Sequence, residues 1–335
     1  MARDTLKAPL LFAPRFQDYV WGGRNLARVL GRDIPDGIVA ESWEISAHPA
    51  APTIVNDGPL LGASLPELVD EFGVELVGSK GQWAVDRGAF PLLIKLLDAN
   101  QPLSVQVHPD DAYADEHEDG ELGKTEMWYV LDAAPGAEIV YGLRSGVTPG
   151  EFQAAVSDGR VEECLHRVQV KAGDAVLIEA GTVHAILEGI VLAEIQQSSN
   201  TTYRVYDWGR VGNDGKPRAL HIEEAMNVID FQDWEPSVTT PEVLTEQEGV
   251  KRELVSSCDK FVVERITVEA GRSFRGDLTG ETFEVWGVLE GSGAMEAGES
   301  RTALDAVRFA LLPATMGSFE FSSTAGLVAL RAYLP

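Results

Sequence analysis

Residues 103–111, LSVQVHPDD, set an amide and an imidazole two positions apart in a segment with strand-like alternation. Residues two apart on a strand project from one face, so Ser104, Gln106 and His108 form a row. Taken singly, such a histidine is an ordinary packed imidazole. Its company changes the reading. Glu126 heads the next long strand pattern, in GKTEMWYVL, and His184 follows a glycine turn in EAGTVHAI. Two histidines and a carboxylate on separate strands, with an amide or a water beside them, suit a divalent metal that keeps one coordination position open. Zinc fits that donor set. Other hard or borderline ions fit it too, including the iron of oxygenases built on two histidines and one carboxylate. Lys124 lies two residues before Glu126 and shares its face, where an amine can bridge substrate oxygens or move a proton.

Strands must position these groups. FPLLIKLLDA, SVQVHP, EMWYVLDA, EIVYGL, HRVQVKAGDAVLIEAGTVHAI and IVLAEIQQSS are short runs punctuated by Gly, Asp and Pro, a spacing that predicts a sandwich or barrel. Helical patterns interrupt them. SLPELVDEFG opens with a serine cap and an early proline, TPGEFQAAVSDG with RVEECLHRV predicts a helical pair, and RALHIEEAMNVIDF predicts a further helix. The acidic run around His117 is expected as a solvated loop without calcium-ligand spacing. His166 and His221 fall on the predicted helical segments and are given no chemistry. From about residue 250 strands resume, and TFEVWGVLEGSGAM parallels TEMWYVLDAAPGAEIV. The expected organisation is residues 1–240 with helical insertions near 57–90, 148–168 and 219–232, followed by a degenerate second β-domain over 250–335. In that second copy Met316 occupies the histidine position, so its polar centre is expected to be lost.

The whole chain narrows the function classes. It has 335 residues, 44% of them hydrophobic and 24% charged, which is enough for a sizeable core. A formal net charge of −26 disfavours nucleic acid and anionic membranes as partners. It equally repels a phosphorylated metabolite, so a site for one needs local lysine and arginine. Cys164 and Cys258 are far apart and form no metal motif. Neither a signal-peptide pattern nor a run of about 20 apolar residues is found, so the cytoplasm is the expected compartment. A monomer or weak dimer is expected.

QPLSVQVHPDD, GKTEMWYVL, AGDAVLIEAGTVHAI and NTTYRVYDWGR, in that order, resemble the successive blocks of type I mannose-6-phosphate isomerases, zinc enzymes of the cupin superfamily. YVWGG and ESWEISAHP resemble that family's opening, and the likeness spans roughly residues 10–230. Glu179 stands where a proline commonly precedes the glycine turn, which removes a backbone restraint but no ligand. The resemblance implies a mainly β fold, a cupin-type barrel or jelly roll, with one zinc per chain and a sugar phosphate as substrate. It implies His108, Glu126 and His184 as metal ligands, Gln106 as a weaker fourth, and Arg204 as the catalytic arginine. An arginine cannot readily deprotonate, so Arg204 suits holding an enediolate or phosphate. Lys95, a charge in an apolar run, and Ser104 are candidate substrate contacts, as are Glu44 and Trp21. Arg210 adds positive charge, whereas His48 is expected to be structural. Besides an isomerase passing through an enediol, an iron cupin oxygenase and a non-catalytic sugar-binding cupin remain open at this point.

Overall fold

The computed structural model of the protein describes residues 6–211, 215–232 and 235–335. Among them are twenty-two strands and seven short α-helices, and no helix long and apolar enough to cross a membrane. The fold is mainly antiparallel β, as expected. By contacts the chain divides into two units, one of Met1–Arg15, Trp43–Ile94 and Thr240–Pro335, the other of Phe16–Ser42 and Lys95–Thr239. The linear partition at 240–250 therefore marks only one of the breaks. Residues 1–15 and 43–94, with the helix Leu65–Phe72, group with the C-terminal strands.

The unit containing residues 95–239 has two sheets. In one, Ala175–Ile178, Glu126–Ala133 and Ile190–Gln197 lie side by side, followed by the parts of Leu92–Ala99 and Glu41–Ile45 that belong to this unit. The other runs Tyr203–Tyr206, Val105–Val107, His184–Ile186, Glu138–Leu143, Leu165–Gln169. Leu97, Trp128, Val130, Val176 and Leu192 from the first sheet pack against Ile139, Tyr141 and Ile186 from the second. The inner faces change character along their length. Going up Ile190–Gln197 by twos, Ile190 and Leu192 give way to Glu194 and Gln196, all buried. Along Glu126–Ala133, Val130 and Trp128 give way to Glu126 in matching register, with Val130 opposite Leu192 and Glu126 opposite Gln196. One end of the interior is thus apolar and the other polar.

Two helical insertions cover the outer face of the second sheet. Val105, Val107, Ala185 and Val205 point outward and meet Phe152 and Ala155 of Pro149–Ser157 and Ala225 of Ile222–Val228. Thr148 and Glu151 close a reciprocal cap on the first of these, which fixes where it starts. Two sequence expectations fail here. Residues 161–164 make only one 3₁₀ turn, and Leu165–Gln169 is an edge strand paired with Glu138–Leu143, because LHRVQ alternates with a period of two rather than 3.6. The acidic run is helical over Asp111–His117, started by Asp110 accepting a hydrogen bond from the Tyr113 amide at 2.8 Å.

The other unit is built on a sheet ordered Glu242–Gln247, Val250–Ser257, Val262–Val268, Leu327–Tyr333, Glu284–Ala297, Phe309–Leu312, Leu10–Ala13, Ile54–Val55. Met316 lies in its apolar core with Trp286, Phe319 and Phe321. The expectation that this copy lost its polar centre needs correction. Glu264 and Glu284 are buried there, Glu264 accepting two hydrogen bonds from Arg252 at 3.0 and 2.8 Å and one from the Tyr333 hydroxyl at 2.8 Å. Arg331 bonds Glu284, whose other oxygen accepts from Trp286 Nε1 at 2.7 Å. What this buried centre lacks is imidazole. It is filled by arginine–carboxylate pairs, which neutralise one another where the other unit gathers metal-binding donors.

Candidate metal centre

Strand register explains how distant residues meet. Gln106 stands opposite His184 on one side and Arg204 on the other, so three strands of the second sheet present Arg204, Gln106 and His184 as one row. His108 follows Gln106 by two residues, on the same face. The first sheet contributes Glu126, fixed between Ile178 and Gln196 on its two neighbours. His108, Glu126 and His184 each offer a donor atom, all lying within 4.8 Å of one another, and all three side chains are buried. His108 Nε2 is 3.5 Å from Glu126 Oε2, and His184 Nε2 is 3.4 Å from Glu126 Oε1.

The donor chemistry fits a cation. His184 Nδ1 donates to the Thr182 carbonyl at 2.8 Å, which leaves Nε2 with a lone pair aimed at the carboxylate. No well-oriented hydrogen bond reaches either His108 nitrogen or Glu126 Oε1, and Glu126 Oε2 is met by the Lys124 amine at 3.0 Å. Lone pairs that face each other in a buried site repel until positive charge enters. Burial pushes the His108 imidazole well below its ordinary pKa and that of His184 down to about 4, so both are neutral ligands at pH 7. Burial, with Glu194 nearby, pushes the Glu126 carboxyl up to about 7, against the pull of Lys124. Gln106 departs from the ligand expectation in one respect. Its Nε2 lies 3.4 Å from His184 Nε2, while its Oε1 accepts from the Ser104 hydroxyl at 3.2 Å. Ligation through its oxygen requires the amide turned over, which exchanges acceptance from the Ser104 hydroxyl for donation to it.

Beside this cluster is a cavity of about 310 Å³ whose wall includes Trp21, Lys95, Ser104, Gln106, Lys124, Glu126, His184 and Arg204. Lys124 Nζ is 3.0 Å from Glu126 Oε2. Lys95 is 3% exposed, its amine 3.3 Å from Glu194 and 3.6 Å from Glu41. Burial alone would lower its pKa, but these carboxylates override it and hold the amine above its ordinary value. Burial likewise works against ionised Glu194, yet Lys95 and Lys124 keep that carboxyl below the usual range, and Trp128 Nε1 donates to it at 3.0 Å. Arg204 donates through Nη1 to the Ala219 carbonyl at 3.0 Å, while its buried Nε has no partner.

Glu44 is not on this wall. Glu41 is, and since side chains alternate along Glu41–Ile45, a residue three positions on faces the other way. His48 accepts from the Ala50 amide at 3.2 Å and packs edge-on against Trp43, a structural setting. Glu41, Glu194 and Arg218 line the cavity although sequence reasoning did not single them out. For Glu194 a signal was present: it continues by twos from Ile190 and Leu192, so a carboxylate sits on the inner face of a buried strand. Arg218 comes from a connecting segment with no periodicity to read.

Comparisons agree with this geometry. The type I phosphomannose isomerase catalytic-domain family matches residues 10–130. The chain is similar to a mannose-6-phosphate isomerase of Streptococcus mutans, 40% identical over 96% of this chain and 97% of that one. It is similar to the mannose-6-phosphate isomerase ManA of Bacillus subtilis, 39% identical over 95% of this chain and 96% of the relative. A crystal structure of mannose 6-phosphate isomerase from Bacillus subtilis superposes with a TM-score of 0.87 at 34% identity, covering 98% of this chain and 100% of that one.

Proposed function

The chain belongs to the type I phosphomannose isomerase family, and from that membership we propose that it interconverts mannose 6-phosphate and fructose 6-phosphate through an enediol. The observation that carries the reading is the convergence of His108, Glu126 and His184 beside a polar cavity. These three residues would hold one zinc ion, with Gln106 as a fourth contact. Two imidazoles and one carboxylate are a donor set that zinc accepts while keeping an open position. Bound there, the ion would supply Lewis-acid polarisation of the sugar's carbonyl and hydroxyl oxygens.

The remaining work falls to the chain's own side chains. Moving a proton between adjacent carbons needs a group that can take it from one and return it to the other. Glu194, ionised and on the cavity wall, and Lys124, whose amine sits beside Glu126, are the two groups for that task. Arg204 keeps its charge and would hold the negative charge that develops on the enediolate. Lys95 supports the wall indirectly, since its amine is already engaged by Glu41 and Glu194 and helps hold Glu194 ionised. Ser104 orients Gln106, and Trp21 offers an apolar face to the sugar ring. Family membership favours this reading over the iron oxygenase that the donor set alone left open.

A coupled assay with mannose 6-phosphate tests it. Turnover should disappear on chelation and return with zinc, and elemental analysis should find about one ion per chain. Metal-loaded protein that leaves mannose 6-phosphate unchanged would refute the proposal.

A further inference from the structure

A second charged group borders the cavity, reaching it through Arg218. Asp207, just past the strand Tyr203–Tyr206, accepts from Arg210 Nη2 at 2.6 Å and from Arg218 Nε at 2.7 Å, with Arg218 Nη2 completing a fork. Arg204 and Arg218 both line the cavity, alongside Asn200 and Thr202. Two guanidiniums therefore share one carboxylate, with Arg204 lining the same cavity, in a chain whose net charge is −26. Arg204 Nε and both Nε and Nη1 of Arg210 are buried without a hydrogen-bond partner. Buried, unspent guanidinium N–H groups call for an anion. The turn that carries Asp207 is itself fixed: Trp208 and Gly209 are successive left-handed residues, at φ 56° and 66°, and the Trp208 indole donates to the Leu103 carbonyl at 2.6 Å.

We infer that Arg218, clamped by Asp207, selects for the phosphate group of the substrate, and that Asp207 is the positioning residue for it. The inference rests on the isomerase reading above and divides labour between two arginines. Arg204 stands in the same strand row as Gln106 and His184, next to the reacting end. Arg218 spends Nε and Nη2 on Asp207, which leaves Nη1 for a second planar or tetrahedral oxyanion. Asn200 and Thr202 add neutral donors on the same wall.

The test is steady-state kinetics on the zinc-loaded full chain, with inorganic phosphate as a competitive inhibitor. R218A should raise KM for mannose 6-phosphate about ten- to hundred-fold, as expected for a lost charge-assisted pair, with kcat changed far less. The inhibition constant of phosphate should weaken by the same factor, and R218K should recover part of both. D207N should shift the phosphate constant in the same direction, a response that general loosening of the fold does not produce. A KM and a phosphate constant left at wild-type values in R218A, or a loss confined to kcat, would overturn the inference. If R218A does not fold, the same two constants in R218K and D207N decide it. Calorimetric titration with inorganic phosphate separates the two readings, because it needs no turnover. Phosphate binding that depends on Arg218 in a protein that does not isomerise mannose 6-phosphate would sink the isomerase reading and keep this one.

Discussion

Replacing Lys95 by methionine keeps the length of the side chain and removes its charge. The lysine is buried, with carboxylate oxygens of Glu194 and Glu41 at 3.3 and 3.6 Å. At an effective dielectric of about 20 each contact is worth roughly 5 kcal/mol in gross attraction, most of it offset by the cost of bringing three charges out of water. Removal of the cation takes an ammonium from both carboxylates and leaves Glu194 to Lys124 and the Trp128 indole, and loss of a buried partner runs to about 3–5 kcal/mol. The sign of the pH dependence follows from the same geometry. In the wild type the amine is held above its ordinary value of about 10.4, so its contribution is complete at every pH below that and is lost only in strong alkali. In K95M, Glu194 loses the stronger of its two lysine partners, so burial lifts its folded pKa above its unfolded one, near 4.3. The folded state is then penalised increasingly as pH rises past that value. Urea unfolding of the metal-free chain should show K95M less stable by about 3–5 kcal/mol at pH 8 and by clearly less at pH 5. The double variant K95M/E194Q, which removes one of the stranded charges, should recover at least half of the loss. A single variant within about 1 kcal/mol of wild type at pH 8 would refute the reasoning, as would a double variant no more stable than the single.

Other expectations separate holding the metal from using it. H184A should lose the ion in elemental analysis, whereas R204A should retain it and lose about a hundredfold or more in kcat; loss of metal from R204A would contradict its assigned task. The Asp207 carboxyl is held below its ordinary value because Arg218 and Arg210 outweigh its burial, so the stability it confers is present above about pH 4 and lost as pH falls through the depressed folded value. Acid-unfolding curves of D207N should therefore be flatter than wild type below that pH, and superimposable curves would count against the pairing. E264L strips the fully buried partner from Arg252 and Arg331, and should cost about 3–5 kcal/mol in thermal or urea unfolding while metal stoichiometry is kept.

Much of this architecture could be read from strand parity. Ser104, Gln106 and His108 share a face because they are two apart, and Glu126 and His184 reach the same interior because their strands begin there. Parity applied one strand further would have found Glu194, and applied with care would have chosen Glu41 in place of Glu44. Other features are invisible to periodicity. Arg218 reaches the cavity from a connection, and its position depends on the Asp207 fork and not on any repeat. Leu165–Gln169 reads as helix from sequence because a short run beside a helix offers too few residues to distinguish the two periods. The arginine–carboxylate centre of the C-terminal unit escaped because each charge, read singly, suits a solvated strand edge, and only cross-strand register reveals that Arg331 faces Trp286 and lies beside Glu264. The grouping of residues 43–94 with the C-terminal strands reflects long-range packing, on which local pattern is silent.

Glu126 and Trp128 are alternate residues of one strand, held on both flanks by partners in fixed register, and Lys124 leads into it two residues earlier. Loss of a single codon inside that run would set the groups on one side of the gap on the opposite face from those on the other, since a shift of one exchanges the two faces of a strand. Descendants of this gene are therefore free to vary the length of the turn at residues 134–137, but can edit 124–128 only by exchanging one side chain for another.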